Sequence, residues 1–345
     1  MVRRSLLALS LVVASPARGA DAARAAPVAP APAPAERVPA IAPALAPSVA
    51  RPGDAVLVRV PLAPGAEPPT ATLAGRPLSF WRAGDEAWAL AALPLETPPG
   101  RVSLDVGSPL GAAGAAALDV VEPGFPSRTL EVPPRFVEPP RSVRKRIEAD
   151  RRAFAAAWAR PFSPPLFGAP FRWPRPERVN GRFGDQRVFN GKKESVHYGV
   201  DVSAPRGAPV HAANDGVVVL ARNAYLSGKS VVLWHGADVF TVYFHLDRIS
   251  VRRGARVKQG DTLGLVGSTG RSTGPHLHWS AKVAGLYVDP ESLLGIDFRS
   301  GSAPPRRAGS PPPPSEPHAE PASAPAEAAP ATPRAAATSD AGPTR

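Results

Sequence analysis

The sequence predicts a mainly β protein: two β-rich units joined by one helix and flanked by Pro/Ala-rich ends. Three observations carry this. The apolar runs are short and β-branched, as in 55–60 (AVLVRV), 217–220 (VVVL), 230–234 (SVVLW) and 240–244 (FTVYF), with Gly or Pro-Gly between many of them. Only 142–160 repeats apolar residues at helical spacing. The 46 prolines among 345 residues crowd outside these runs, so the folded part is shorter than the chain.

Residues 1–20 carry Arg3 and Arg4, an apolar run over 6–14 and then small residues, the layout of a secretory signal. That run is too short to span a bilayer as a helix, and nothing later is apolar for long enough, so an exported protein without stable membrane insertion is expected. Residues 21–50 are rich in Ala-Pro pairs and bury too little to offset ordering; they read as an extended linker. The chain has no cysteine, which excludes disulfides, thiolate metal sites and a cysteine nucleophile. A formal charge of +12 suits an anionic envelope polymer. No nucleic-acid motif accompanies it, and nucleic acid is not an expected partner.

Over 51–122 short alternating runs at 55–60, 70–73, 88–90 and 101–106 are punctuated by Pro52-Gly53, Ala74-Gly75, Gly84-Asp85 and Pro99-Gly100. An immunoglobulin-like β-sandwich fits this texture, and such folds do not fix an activity. Residues 123–161 form a linker containing the helix 142–160. Val143, Ile147, Phe154 and Trp158 share its apolar face, Ser142 is placed as N-cap, and Glu148 and Arg152 stand at pairing distance. Residues 162–298 form the second, all-β domain. Within it 254–264 has the Gly-spaced pattern of biotinyl carriers, but Lys258 does not sit at a hairpin tip. Residues 299–345 are Pro/Ala/Ser-rich again and read as a disordered tail.

Chemistry concentrates in that second domain. Six of the seven histidines fall within it, and four of them, His197, His245, His276 and His278, stand among its strands and turns as candidate site residues. His276 and His278 are two apart, so on a strand they project from one face. His197 and Asp201 would lie about 13 Å apart if fully extended; Gly199 between them permits a bend. Two imidazoles and a carboxylate with one position open are the inventory of a catalytic zinc site. His211, His235 and His318 are read as non-ligands. Trp234, Tyr243 and Trp279 are candidates for lining a groove.

These residues occur in ordered runs: 197–201 (HYGVD), 204–210 (APRGAPV), Asp215-Gly216, 243–246 (YFHL), Gly254 to Gly260, and 267–279 (GSTGRSTGPHLHW). Together they resemble the lysostaphin-type, or LytM-domain, zinc endopeptidases of bacterial peptidoglycan, from about Arg182 to Pro290. The resemblance implies one Zn2+ held by His197, Asp201 and His278, with His245 and His276 as catalytic histidines. It also implies hydrolysis of an amide in the stems or cross-links of peptidoglycan, in the periplasm or cell envelope, with an extracellular location as the alternative. No His-Glu-x-x-His helix is present, so no glutamate base is expected, and His245 and His276 share the base work and the oxyanion. Which does which stays open, as do the bond cleaved, protein partners and self-inhibition of the groove. The alternative is a non-enzymatic LytM-like regulator that binds peptidoglycan or activates an amidase; the complete residue set argues for the enzyme. A binding protein with a merely structural metal is the third reading, disfavoured by the open position.

Overall fold

The computed structural model describes residues 41–107 and 113–303; the expected signal segment, most of the first linker, His318 and nearly all of the tail lie outside the described residues. Strand structure dominates. The larger sheet is antiparallel throughout, in the order Val179–Gly181, Val200–Ser203, His276–Val283, Val239–Leu246, Gly228–Trp234, Gly216–Ala224 and Arg256–Val257. Leu286–Val288 returns against His276–Val283. Alternation explains why these segments are strands: Leu277, Trp279 and Ala281 are fully buried on one face, while His276 and His278 look the other way. Tyr243 and Trp279 belong to this buried face, so they support the sheet and do not line a groove. Burying each contributes roughly 1.5–3 kcal/mol. The Tyr243 hydroxyl is satisfied by Ala213 N–H and Thr241 Oγ1, both at 2.9 Å, and burial pushes its pKa up to about 12. Trp234 is half-buried and packs in the cluster under the helix.

Ahead of it, two small sheets face each other. One runs Ala44–Ala46, Ala55–Pro61, Glu86–Ala92, Trp81–Ala83; the other runs Val49–Ala50, Ala113–Val120, Gly100–Gly107, Thr70–Leu73, Arg76–Pro77. Val56, Val58 and Val60 point into the space between them with Leu104 and Leu118. Their neighbours Ala55 and Leu57 point the opposite way, into the cluster that contains the larger sheet's Val239, Val283 and Ile296. The strand Ala55–Pro61 is therefore apolar on both faces because both are covered, which accounts for its nearly continuous apolar run. Two of these strands begin earlier than expected: Ala44–Ala46 and Val49–Ala50, read from composition as the end of a linker, pair into the sheets.

The joining segment is more structured than its prolines suggest. Ser127–Leu130 adds in parallel to Gln186–Phe189, which pairs with Lys193–Val196. The helix spans Arg144–Trp158, preceded by a 3-10 turn at Arg141–Val143; Val143, not Ser142, is its N-cap, without a side-chain cap. Glu148 pairs with Arg151 at 2.8 Å, not with Arg152, so the i,i+3 neighbour takes the contact. Phe154, Ala157 and Trp158 pack on Leu220, Phe240 and Val242, and buried Asp150 accepts from Arg222 Nε and the Tyr225 N–H at 2.6 and 2.8 Å. Residues 299–303, expected as tail, return to the sandwich: Arg59 donates to the Ser300 carbonyl, and Gly301 packs against Arg59 and Trp88. Among the described residues no helix is long and apolar enough to cross a membrane.

Candidate metal centre

Two neighbouring strands build the centre. Val200–Ser203 pairs with His276–Val283 so that Asp201 stands opposite His278 and Ser203 opposite His276. His197 enters from just before the first strand. Its Nε2 lies 3.1 Å from Asp201 Oδ1 and 2.9 Å from His278 Nδ1, and His278 Nδ1 lies 2.9 Å from the same Oδ1. One ligand atom from each of the three falls within 4.8 Å of the others. Gly199 is required here for space: a Cβ would meet Ser280 Oγ at 2.4 Å, the Trp279 carbonyl at 2.6 Å and His278 Cε1 at 2.9 Å.

Hydrogen bonding settles where the imidazole protons are. His197 Nδ1 faces the Arg182 carbonyl at 2.7 Å, which can only accept, so Nδ1 carries the proton and Nε2 is bare. His278 Nε2 faces Ser280 Oγ at 2.7 Å, and that hydroxyl donates to the Tyr198 carbonyl at 2.5 Å. Nε2 must then be the donor, leaving Nδ1 bare. Two bare nitrogens and a carboxylate oxygen within about hydrogen-bond distance, with no proton between them, call for a cation. The residues present therefore fit a metal of the zinc type, with one His–carbonyl and one His–hydroxyl support behind the ligands.

Electrostatics agree. Burial pulls the pKa of His278 down to about 4, partly offset by Asp201, so its imidazole is neutral. Burial alone would raise Asp201, but His197 and the Arg187 guanidinium hold it well below the usual carboxylate range. Arg187 Nη2 donates to Asp201 Oδ2 at 2.7 Å, which leaves Oδ1 to face the histidines.

His245 and His276 stand beside this set, ring centroids 4.8 Å apart. His276 Nε2 is 3.7 Å from Asp201 Oδ1. Each has its Nδ1 engaged by a backbone carbonyl, His245 by Thr269 at 2.8 Å and His276 by Gly274 at 2.9 Å, so each presents a bare Nε2. Burial, with His276 and His278 beside it, holds His245 well below the ordinary histidine value. His245 reaches the cleft through a bulge: the pairing of Gly228–Trp234 with Val239–Leu246 shifts register there, and His245 has φ +61°. Strict alternation would send it to the buried face with Tyr243, yet it opens into the cleft beside Phe244.

All five expected residues line one cleft of about 330 Å³. The aromatics that line it are Phe189, Tyr198, Phe244 and Tyr287. The residues with no forecast from the sequence are Arg187, Thr269, Ser280 and Arg271. Ser280 was legible in principle, two positions beyond His278 on the same face. Arg187 had no local signal. His211 and His235 stay outside the cleft: His211 Nδ1 bonds the Gly260 carbonyl, and buried His235, pulled down to about 4 by burial, bridges the Asp215 carbonyl and Thr241 Oγ1.

Fold and site together define a mainly β protein with a His-Asp-His cluster of the kind that could hold a metal ion. Residues 195–290 match the model of Peptidase family M23. A solved structure from Pseudomonas aeruginosa assigned to peptidase M23 aligns with TM-score 0.53 and 30% identity, covering 71% of this chain and 94% of that one. The chain belongs to the M23 peptidase family. It is 42% identical over 113 residues to peptidoglycan DD-endopeptidase ShyA of Vibrio cholerae, and 44% over 98 residues to DD-carboxypeptidase/endopeptidase Mpg of Neisseria meningitidis. These matches cover 32% and 28% of this chain, and only 26% and 23% of those relatives.

Proposed function

We propose that this protein is a zinc endopeptidase that hydrolyses amide bonds in the peptide stems or cross-links of peptidoglycan, acting in the cell envelope after export. The observation that carries the reading is the convergence of three bare acceptor atoms, from His197, Asp201 and His278, with the bare Nε2 atoms of His245 and His276 in the same cleft. The relatives named for peptidoglycan endopeptidase activity support the substrate class.

His197, Asp201 and His278 hold the ion, which when bound supplies Lewis-acid polarisation of the amide carbonyl and a water of lowered pKa. Arg187 keeps the second Asp201 oxygen occupied, and Ser280 and the Arg182 carbonyl keep both imidazoles in the ligating tautomer. His245 and His276 do the proton work. A neutral imidazole with a bare Nε2 takes a proton from the attacking water, becomes an N–H donor, and returns the proton to the leaving amine. Their fixed Nδ1–H···O=C bonds hold both rings aimed at the cleft, so little reorientation accompanies the transfer.

The test is release of peptides from purified peptidoglycan by the mature protein, with metal analysis of the same sample and a chelated control. Cleavage that is lost on chelation and restored by zinc is expected. If wild-type protein cleaves none of several peptidoglycan chemistries yet activates a separate amidase, the regulator reading replaces this one.

A further inference from the structure

Three arginines line the cleft of the metal centre, Arg128, Arg187 and Arg271. Two are engaged. Arg128 lies 3.1 Å from Asp185 Oδ2 and donates to the Asn180 carbonyl; Arg187 donates to Asp201. Arg271 is different: no carboxylate among the described residues pairs with it. Its backbone N–H donates to the Leu226 carbonyl at 2.7 Å, and its guanidinium carbon lies 4.4 Å from the centroid of the Phe189 ring. The side chain is half-buried, and its charged neighbour is another cation, since burial and then Arg187 hold the guanidinium below the usual arginine range.

A partly desolvated guanidinium beside a like charge is unfavourable without an anion. Its place over the Phe189 ring restrains the guanidinium in advance, so less freedom is lost when an anion arrives. Carboxylate is the anion that a peptide offers, and guanidinium–carboxylate pairing is commonly bidentate. The cleft is small enough that a group bound at Arg271 belongs to a residue close to the amide at the centre.

We propose that Arg271 binds a free carboxylate of the peptide substrate and thereby selects peptides that carry one near the scissile amide. This rests on the hydrolase reading above. Arg271 is a specificity residue and takes no part in the proton transfers.

The experiment compares two soluble cross-linked peptides, identical except that the free carboxylates of one are carboxamides. Kinetics of wild type, Arg271→Gln and Arg271→Lys are measured with metal content determined in parallel. Amidation is expected to lower the wild-type kcat/KM about 10- to 100-fold, mainly through KM. Arg271→Gln should show the same loss on the carboxylate peptide, indifference to amidation and unchanged zinc; Arg271→Lys should keep part of the preference. Equal cleavage of both peptides by wild type overturns the proposal, as does an Arg271→Gln loss of the same size on both. Calorimetric binding of the two peptides to zinc-loaded His245→Ala protein, with and without Arg271→Gln, separates the two readings. If wild type cleaves neither peptide, the hydrolase reading fails, and a carboxylate preference in binding that vanishes with Arg271→Gln still supports the anion site. Equal binding of both peptides overturns it.

Discussion

The two halves of this molecule are built from the same pleated alternation and use their buried volume differently. In the sandwich the buried hydrophobic residues are Ala, Val and Leu with Phe80, Trp81 and Trp88, and among the described residues its one buried charged group is Asp54. The second half buries Asp185, His197, Asp201, Asn214, Ser230, His235, Thr241, His245 and Ser280 as well. Buried polar groups destabilise unless satisfied, so each of these must be tied by a specific partner. The lesson is that the first half rests on apolar volume, where volume-conserving changes are tolerated best, whereas the second depends on individual atoms.

That contrast can be broken or sharpened by substitution. The largest effect is expected at the ligands: His278→Ala should remove stoichiometric metal and abolish peptide release while near-native circular dichroism persists. Retention of both zinc and activity would show that another set holds the ion. Next come His245→Ala and His276→Ala, which should keep the metal and lose roughly 100- to 1,000-fold in turnover, about 2.7–4 kcal/mol of transition-state stabilisation. Metal loss in step with activity would make them ligands instead. Arg187→Gln should weaken metal affinity about 10- to 100-fold, because it frees Asp201 Oδ2 while leaving the ligands in place; competition with a chromophoric chelator measures this. A core truncation in the sandwich, Leu104→Ala, should cost about 2–5 kcal/mol in urea unfolding with kcat per folded molecule unchanged. A matching fall in kcat would mean that the sandwich shapes the cleft. Smallest of all is Glu148→Ala on the helix surface, expected to change stability by about 0.5 kcal/mol or less.

Much of the site was legible because strand chemistry is local. The two-residue spacing of His276 and His278 put both on one face, and the buried Leu277 and Trp279 confirm the alternation. Gly199 stands out in the sequence as a place for a bend between His197 and Asp201, and the structure adds that it permits close approach to Ser280 and the Trp279 carbonyl. Helix boundaries were less legible: Ser142 has the chemistry of an N-cap, but the preceding Pro140 opens a 3-10 turn, and the α-helix starts two residues later. Composition misled most at 44–50 and 299–303, where residues resembling linker and tail gain order by packing on the sandwich, a contact that composition does not encode.

By itself the sequence determined the strand-rich architecture and the face that carries His276 and His278, and its ordered motifs named five residues that the structure gathers in one cleft. Periodicity and residue chemistry are properties of the nearest few positions, so they survive in one dimension. Only the tertiary structure decided the rest: the bulge that turns His245 into the cleft, the carbonyl and hydroxyl that hold each imidazole in one tautomer, Arg187 on the far oxygen of Asp201, and Arg271 over the Phe189 ring. Except for the Ser280 hydroxyl, two positions from His278, these contacts join separate strands and loops, and the centre itself closes Asp201 on His278 across 77 residues. Which atoms meet is settled when the sheet closes and desolvates them, because only then does an unmatched polar atom carry a cost.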